Sequence, residues 1–374
     1  MPATRRTSPA RVLIADARLR SRVLAASVIS VLALTGCSVQ PTGGGPTTEP
    51  TGAGSTPAAA AAVDDCGVSV PPMAQPAERI VAIKSTAAEL VVALGLGDRL
   101  VTTAFLDGPL EASDGTPIEA PTIEGMPSRE AVLDLEPDAV VAGWESAFAP
   151  EAVGDREQLQ QLGVTTWVSP AACWSTEVPP LTWDALFGEF ADAGAVLGVP
   201  EAGASLAESQ RAALEAVEPV ARGGAGGGAA GAGGAAGAGG AAGAGGAAGD
   251  ELTALWYSSG EDAPYVGAGS GAPQLVLDAA GLTNVAADID ETWTTLSWEA
   301  LASSDPDVIV LVDAPWHTAE SKIERLRANA ATAQLEAVQQ ERFVVVPFPM
   351  AEAGVGTVSA AQTVADAVRA MGVE

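Results

Sequence analysis

The sequence predicts an α/β protein of two Rossmann-like lobes, each on a parallel sheet, joined by one long α-helix. Three observations carry this prediction. Aliphatic runs alternate with helix-length stretches along most of the chain, the pattern of a parallel sheet covered by helices. One helix-to-strand motif occurs twice, far apart in sequence. Between the copies, Trp183 to Val220 is helical in pattern almost throughout, interrupted only near Gly198-Val199-Pro200.

The repeated motif reads Ser128-Arg129-Glu130-Ala131-Val132, then Glu136-Pro137-Asp138 into Ala139-Val140-Val141. Its second copy reads Ser297-Trp298-Glu299-Ala300-Leu301, then Asp305-Pro306-Asp307 into Val308-Ile309-Val310. Ser caps a short helix, and Glu in the first turn complements the macrodipole. The proline pushes the residue before it out of the α region and ends the helix. The β-branched run that follows is a buried strand. Such units are common in α/β folds, so coincidence is the competing account of the repeat.

Residues 1–36 stand apart from both lobes. Six arginines precede an apolar stretch from Val23 to Leu34, the charged and apolar regions of an export signal too short to span a membrane. Leu34-Thr35-Gly36-Cys37 resembles a bacterial lipobox. That resemblance implies cleavage before Cys37, lipid on its sulfur and a place on the outer face of the cell membrane; the alternative is a secreted protein with an incidental cysteine. Arg5-Arg6 lacks the surroundings of a twin-arginine signal.

Removal of 1–36 takes six Arg and one Asp and leaves 12 basic and 46 acidic residues, a net of about −34. That charge excludes a nucleic-acid partner and is repelled by an anionic membrane surface, so lipid must supply the tether. Cys66 and Cys173 remain. In an oxidising compartment a disulfide between them is expected over two free thiols.

Residues 37–76 read as a flexible tether, rich in Gly, Pro, Thr, Ser and Ala over 38–62. The first lobe occupies 77–180. Its strands are expected at Arg79–Ile83, Leu100–Phe105, the first motif copy and Val164–Val168, with Thr86 capping a helix from Ala87 to Leu94 and another helix over 150–162. A helical spine spans 181–222. Residues 223–249 are only Gly and Ala, with one hexad repeated three times, and read as a disordered surface insert. The second lobe, 250–374, begins with a strand from Leu252 to Tyr257 and a loop through Tyr265 to Ser270. A helix from Pro273 to Ala280, the second motif copy, helices over 319–339, a strand Phe343–Val346 and a helix Thr357–Met371 complete it.

Functional groups of open α/β sheets gather at the carboxyl ends of strands. Those ends are Lys84-Ser85-Thr86, Phe105-Leu106-Asp107, Trp144-Glu145, Trp174, Trp256-Tyr257, Trp316 and Phe348, with Tyr265, Trp293 and Trp298 on nearby loops. Aromatics are 4% of the chain, yet most of its Trp and Tyr fall here. Flat rings suit a flat, partly apolar ligand; plain packing is the competing account for Trp167, Trp183 and Trp298. Lys84, one of two lysines in the chain, precedes a helix amino terminus where an anionic group is held. An ordinary solvated lysine is the alternative.

A single histidine, His317, excludes a His-built metal cage, and no nucleophile–base–orienter set emerges. Gly267-Ala268-Gly269-Ser270-Gly271 has the look of a phosphate loop but lacks the following Lys-Ser/Thr. The residues therefore point to a binding protein with no catalytic residues, no metal and no cofactor.

Over about 77–374 the chain resembles the substrate-binding lipoproteins of ABC importers whose two lobes share one long helix and which take ferric siderophores, haem and corrinoids. The likeness rests on Arg79-Ile80-Val81, Thr86-Ala87-Ala88-Glu89-Leu90, Leu94-Gly95-Leu96-Gly97-Asp98-Arg99-Leu100, both motif copies, and Ala279-Ala280-Gly281-Leu282-Thr283-Asn284-Val285. The resemblance implies that Glu130 and Glu299 dock on a permease driven by a cytoplasmic ATPase, and that the protein acts as a monomer. Lys84-Ser85-Thr86 with Phe105-Leu106-Asp107-Gly108-Pro109 departs from siderophore binders. It looks closer to an actinobacterial branch of deazaflavin (F-420-0) importers, which implies a flat ring system with a phosphodiester tail. A ferric siderophore, haem or cobalamin is the alternative ligand, and a surface-anchored enzyme on the same fold the alternative function.

Overall fold

A computed structural model describes residues 61–111, 116–220 and 252–373. The export signal, Cys37, most of the tether and the Gly/Ala insert lie outside these residues.

The tether assigned to 37–76 does not run to its expected end. Strands β1 (Val63–Asp65) and β2 (Val68–Val70) form an antiparallel pair. Cys66 and Gly67 between them both have positive φ, 51° and 75°, as a two-residue hairpin turn requires. Two anchors fasten this hairpin. A disulfide joins Cys66 to Cys173, with Cα atoms 5.4 Å apart. Beside it Asp65 accepts from Arg156 Nη2 at 2.5 Å and from Val168 N at 2.9 Å, all buried.

The first lobe holds β3 (Ile80–Ile83), α1 (Ser85–Ala93), β4 (Leu100–Ala104), β5 (Thr122–Ile123), α2 (Arg129–Leu133), β6 (Ala139–Ala142), α3 (Arg156–Gln161) and β7 (Thr165–Val168). Its five strands are all parallel, in the order β5-β4-β3-β6-β7. Helix α1 begins at Ser85, so the expected cap at Thr86 is a residue inside the helix; the capping position is Lys84, at φ 78°.

In place of one long helix, the spine is a pair of antiparallel helices, α4 (Trp183–Val196) and α5 (Pro200–Glu215). Gly198, at φ +76°, ends the first, and Pro200, which needs no N–H partner, opens the second. The helices cross where a Cβ on Gly194 would lie 2.6 Å from Gly203 Cα. Near the other end Arg211 stacks 5.1 Å over the Phe187 ring and reaches Asp184 at 3.3 Å. Helix α4 holds the first lobe through Met73 N→Val196 O and Ala77 N→Leu197 O. Helix α5 holds the second, with Gln210 donating to Val355 O at 3.2 Å.

The second lobe holds β8 (Thr253–Ser259), β9 (Tyr265–Gly267), α6 (Ala272–Ala280), β10 (Thr283–Asn284), β11 (Trp293–Thr295), α7 (Trp298–Ser304) and β12 (Val308–Asp313). It continues with α8 (Ala319–Ala328), α9 (Glu336–Gln339), β13 (Phe343–Pro347), α10 (Phe348–Ala351) and α11 (Thr357–Met371). Strands β10, β8, β12 and β13 are parallel, while β9 and β11 add an antiparallel edge. That edge forms from the stretch read as a loop, turning back at Gly260, φ +95°.

Alternation along the central strands sorts their side chains into three cores. Val81, Ile83, Val140 and Ala142 face an outer core with Val132 and Leu159. Leu255, Tyr257, Ile309 and Leu311 face the second lobe's outer core with Leu301 and Leu326. The opposite faces, including Ile80, Ala82, Val141, Trp256 and Val310, enter one cluster with Phe187 and Phe190 of α4 and Val364 of α11. The lobes therefore share a continuous apolar middle.

Candidate functional site: a ring-walled cleft

A cavity of about 510 Å³ lies between the lobes at the carboxyl ends of their strands. Trp144 and Glu145 follow β6, and Trp174 follows β7. The second lobe brings Tyr265 and Trp293 from its antiparallel edge, Trp316 from beyond β12 and Phe348 from the end of β13. Tyr265 and Trp293 stack at 5.9 Å with planes 19° apart. Trp316 meets Phe348 edge-on at 5.5 Å, and Phe348 meets Trp144 at 6.4 Å. Trp174 and Trp316 are 72% and 57% exposed, a large apolar area left uncovered, as at a binding surface.

Glu145 fixes the Trp174 loop. Its carboxylate accepts from Trp174 N at 2.6 Å, Ser175 N at 2.9 Å and the Ser175 hydroxyl. Burial pushes this carboxyl up, but the Ser175 and Trp174 donors outweigh it and hold the group below its ordinary range.

Lys84 is not in the cleft. It is 1% exposed, and its ammonium pairs with Asp107 at 2.5 Å. The rings of Trp144, Phe105 and Phe348 enclose the ammonium at 4.1, 4.5 and 5.0 Å. Ser85 Oγ accepts from Asp107 N at 2.8 Å, so the anion expected at the amino end of α1 is the chain's own Asp107. Ser85, Thr86 and Asp107 are buried, and Phe105, at φ 52°, packs edge-on to Trp144. Gly143 makes this packing possible: a Cβ there would sit 2.3 Å from Thr86 Oγ1 and 3.0 Å from Lys84 Cβ. A ligand-facing role for Lys84, Ser85, Thr86, Phe105 and Asp107 gives way to a supporting one behind Trp144.

Trp256 and Tyr257 also leave the expected site. Both are wholly buried, Trp256 in the middle core and Tyr257 in the outer one, because β8 runs on to Ser259 and only Ser258 and Ser259 reach the cavity. Trp167 is buried, Trp183 stacks on Phe187 and Trp298 donates to Asp262 O at 2.8 Å; all three pack the scaffold.

Glu352 was missed. The single turn of α10 places it one turn beyond Phe348 on the cavity wall, where its Oε1 accepts from Trp144 Nε1 at 2.8 Å across the lobes. Burial pushes its carboxyl up to about 7, against the downward pull of the Trp144 N–H and the Lys84 ammonium. The available signal was a carboxylate four residues past a strand-end aromatic. Among the described residues no Lys, Arg or His lines the cavity. The glycine run beside it serves close packing: a Cβ on Gly267 would lie 2.3 Å from Pro273 Cβ.

Outside the cleft, the two motif copies match closely. Ser128 Oγ accepts from Ala131 N and Ser297 Oγ from Ala300 N, at 3.3 and 3.0 Å. Glu130 and Glu299 are both exposed in the first turns of α2 and α7.

Residues 241–350 match the family model of the periplasmic binding proteins. Among solved structures, a periplasmic binding protein from Veillonella parvula is 20% identical, covering 81% of this chain and 95% of its own, at a TM-score of 0.62. A structure from Saccharomonospora viridis described as an ABC-type Fe3+-hydroxamate transport system is 21% identical, with 82% and 98% covered, at 0.60. The periplasmic heme-binding protein RhuT from Roseiflexus is 23% identical, with 78% and 99% covered, at 0.54. The fold is that of a periplasmic binding protein. The family model that matches is one of binding proteins, and no curated protein matches the chain. Among the described residues no helix is long and apolar enough to cross a membrane.

Proposed function

We propose that this protein is the extracytoplasmic substrate-binding component of an ABC importer, held to the membrane by lipid on Cys37 and acting as a monomer. The single observation that carries this is the ring-walled cavity between two lobes of this fold, the place where such sheets bind ligands. The protein captures a small molecule there and delivers it to a permease driven by a cytoplasmic ATPase. Glu130 and Glu299 are the docking residues: two equivalent exposed carboxylates, one per lobe, on matching helix starts.

The ligand class is that of the similar folds, a ferric siderophore, haem or cobalamin, since proteins of this shape are described as Fe3+-hydroxamate and heme binders. The deazaflavin reading has less support. The rings suit its flat nucleus, but the lysine assigned to its phosphodiester is spent on Asp107.

Tryptophan-fluorescence titration with a ferric trihydroxamate, haem, cobalamin and a deazaflavin tests the ligand class. Quenching by one of the first three and not by the deazaflavin is expected; the reverse would restore the deazaflavin. Glu130→Ala with Glu299→Ala is expected to abolish uptake while leaving ligand affinity unchanged. Uptake that survives the pair would remove the docking assignment.

A further inference from the structure

The chemistry of the cleft wall extends the reading given above, on which this inference rests. Two carboxyl groups, Glu145 and Glu352, line the cavity, and no basic side chain among the described residues does. The Lys84 ammonium is buried, paired with Asp107 and faced by the rings of Trp144 and Phe348, and it does not line the cavity. Of the helices longer than one turn, α6 presents its amino terminus to the cavity, at Gly271 and Ala272. It is weakened there: Pro273 has no N–H, and Ser270 N already donates to Glu291 O at 3.0 Å. An anionic ligand entering this space would leave its charge without a counterion beside two carboxyl groups, which is costly away from water. A cation meets the reverse: ring faces that attract positive charge and carboxylates to pair with it.

We propose that the ligand binds as a cation, its positive charge held by Glu352 and Glu145 among the rings of Trp144, Trp316 and Phe348, and that the cleft rejects anions of the same shape. Haem with its two propionates and a phosphodiester-tailed deazaflavin are disfavoured on this ground. A cationic ferric chelate is favoured.

Three flat probes of one shape test this in fluorescence titrations at about pH 8: N-methylacridinium, neutral acridine and acridine-9-carboxylate. The cation is expected to bind about tenfold or more tighter than the carboxylate, with acridine between them. Glu352→Gln should shrink that ratio several-fold. Ser259→Arg, which adds a base to the wall without touching either carboxyl group, should move the preference toward the carboxylate even if Glu352→Gln fails to fold. A carboxylate that binds as tightly as the cation overturns the charge assignment. Failure of all three probes, together with every chelate in the panel above, overturns the reading of the cleft as a ligand site.

Discussion

The two lobes carry the same motif but secure it differently. In each, the residue before the motif proline adopts a left-handed conformation, Glu136 at φ 46° and Asp305 at φ 42°. In each, the motif aspartate pins the start of the neighbouring central strand. Asp138 accepts from Glu78 N and Arg79 N at 2.7 and 2.9 Å, and Asp307 accepts from Thr253 N at 2.8 Å. Beyond that shared frame they diverge. The first lobe is held by buried ion pairs, Lys84–Asp107 and Arg156–Asp65, and by the disulfide. The ion pairs of the second lobe, such as Arg327–Glu341 and Arg342–Glu336, have exposed carboxylates, and its buried Lys322 donates to carbonyls of Val312 and His317 at 2.5 Å. The duplicated frame sets where the lobes present Glu130 and Glu299, while the unshared parts shape the cleft.

The largest effect expected on this contrast comes from pH. Burial pushes Glu89, Glu189 and Glu352 up to about 7 and Asp65 to about 6. The folded protein then holds protons that the unfolded chain has lost, so stability falls as pH rises from about 4 to about 7 and levels off above. Calorimetry at about pH 5 and pH 8 should show Tm lower at the higher pH by of order 10 °C. An unchanged or rising Tm would refute it. Because Glu352 ionises over the same range, facing Lys84 and Asp107, affinity for a cationic probe should rise across it.

Next in size is Lys84→Ala, which strands Asp107 in the interior and should cost about 3–5 kcal/mol in denaturant unfolding. Lys322→Ala in the second lobe leaves two carbonyls unpaired and should cost about 1–3 kcal/mol. Equal losses would erase the distinction between the lobes. Reduction of Cys66–Cys173, which closes a span of 107 residues, should lower stability by about 2–4 kcal/mol. Arg342→Ala, at a partly exposed pair, should change it by less than about 1 kcal/mol, and a larger loss would mean that surface pairs also brace the second lobe.

Much of this was legible because it is local. The motif copies, Ser128 and Ser297 as caps, the alternating central strands and the ring-rich strand ends follow from propensity and periodicity over a few residues. Glu352 and the antiparallel edge were not, since neither a one-turn helix nor a three-residue strand leaves a periodic signal. The spine misled because the pattern stays helical across Gly198, while the fold back depends on Gly194 meeting Gly203.

By itself the sequence determined a two-lobed α/β chain, its repeated frame, the absence of a His-built metal site and the ring-rich character of its strand ends. Tertiary structure decided which rings face the cleft and that Lys84 does not. Burial, pairing and direction are set by what comes from the other end of the chain: Asp107 reaches Lys84 from the next strand, and Phe348 and Glu352 reach it and Trp144 from the opposite lobe. No local pattern encodes a partner more than two hundred residues away.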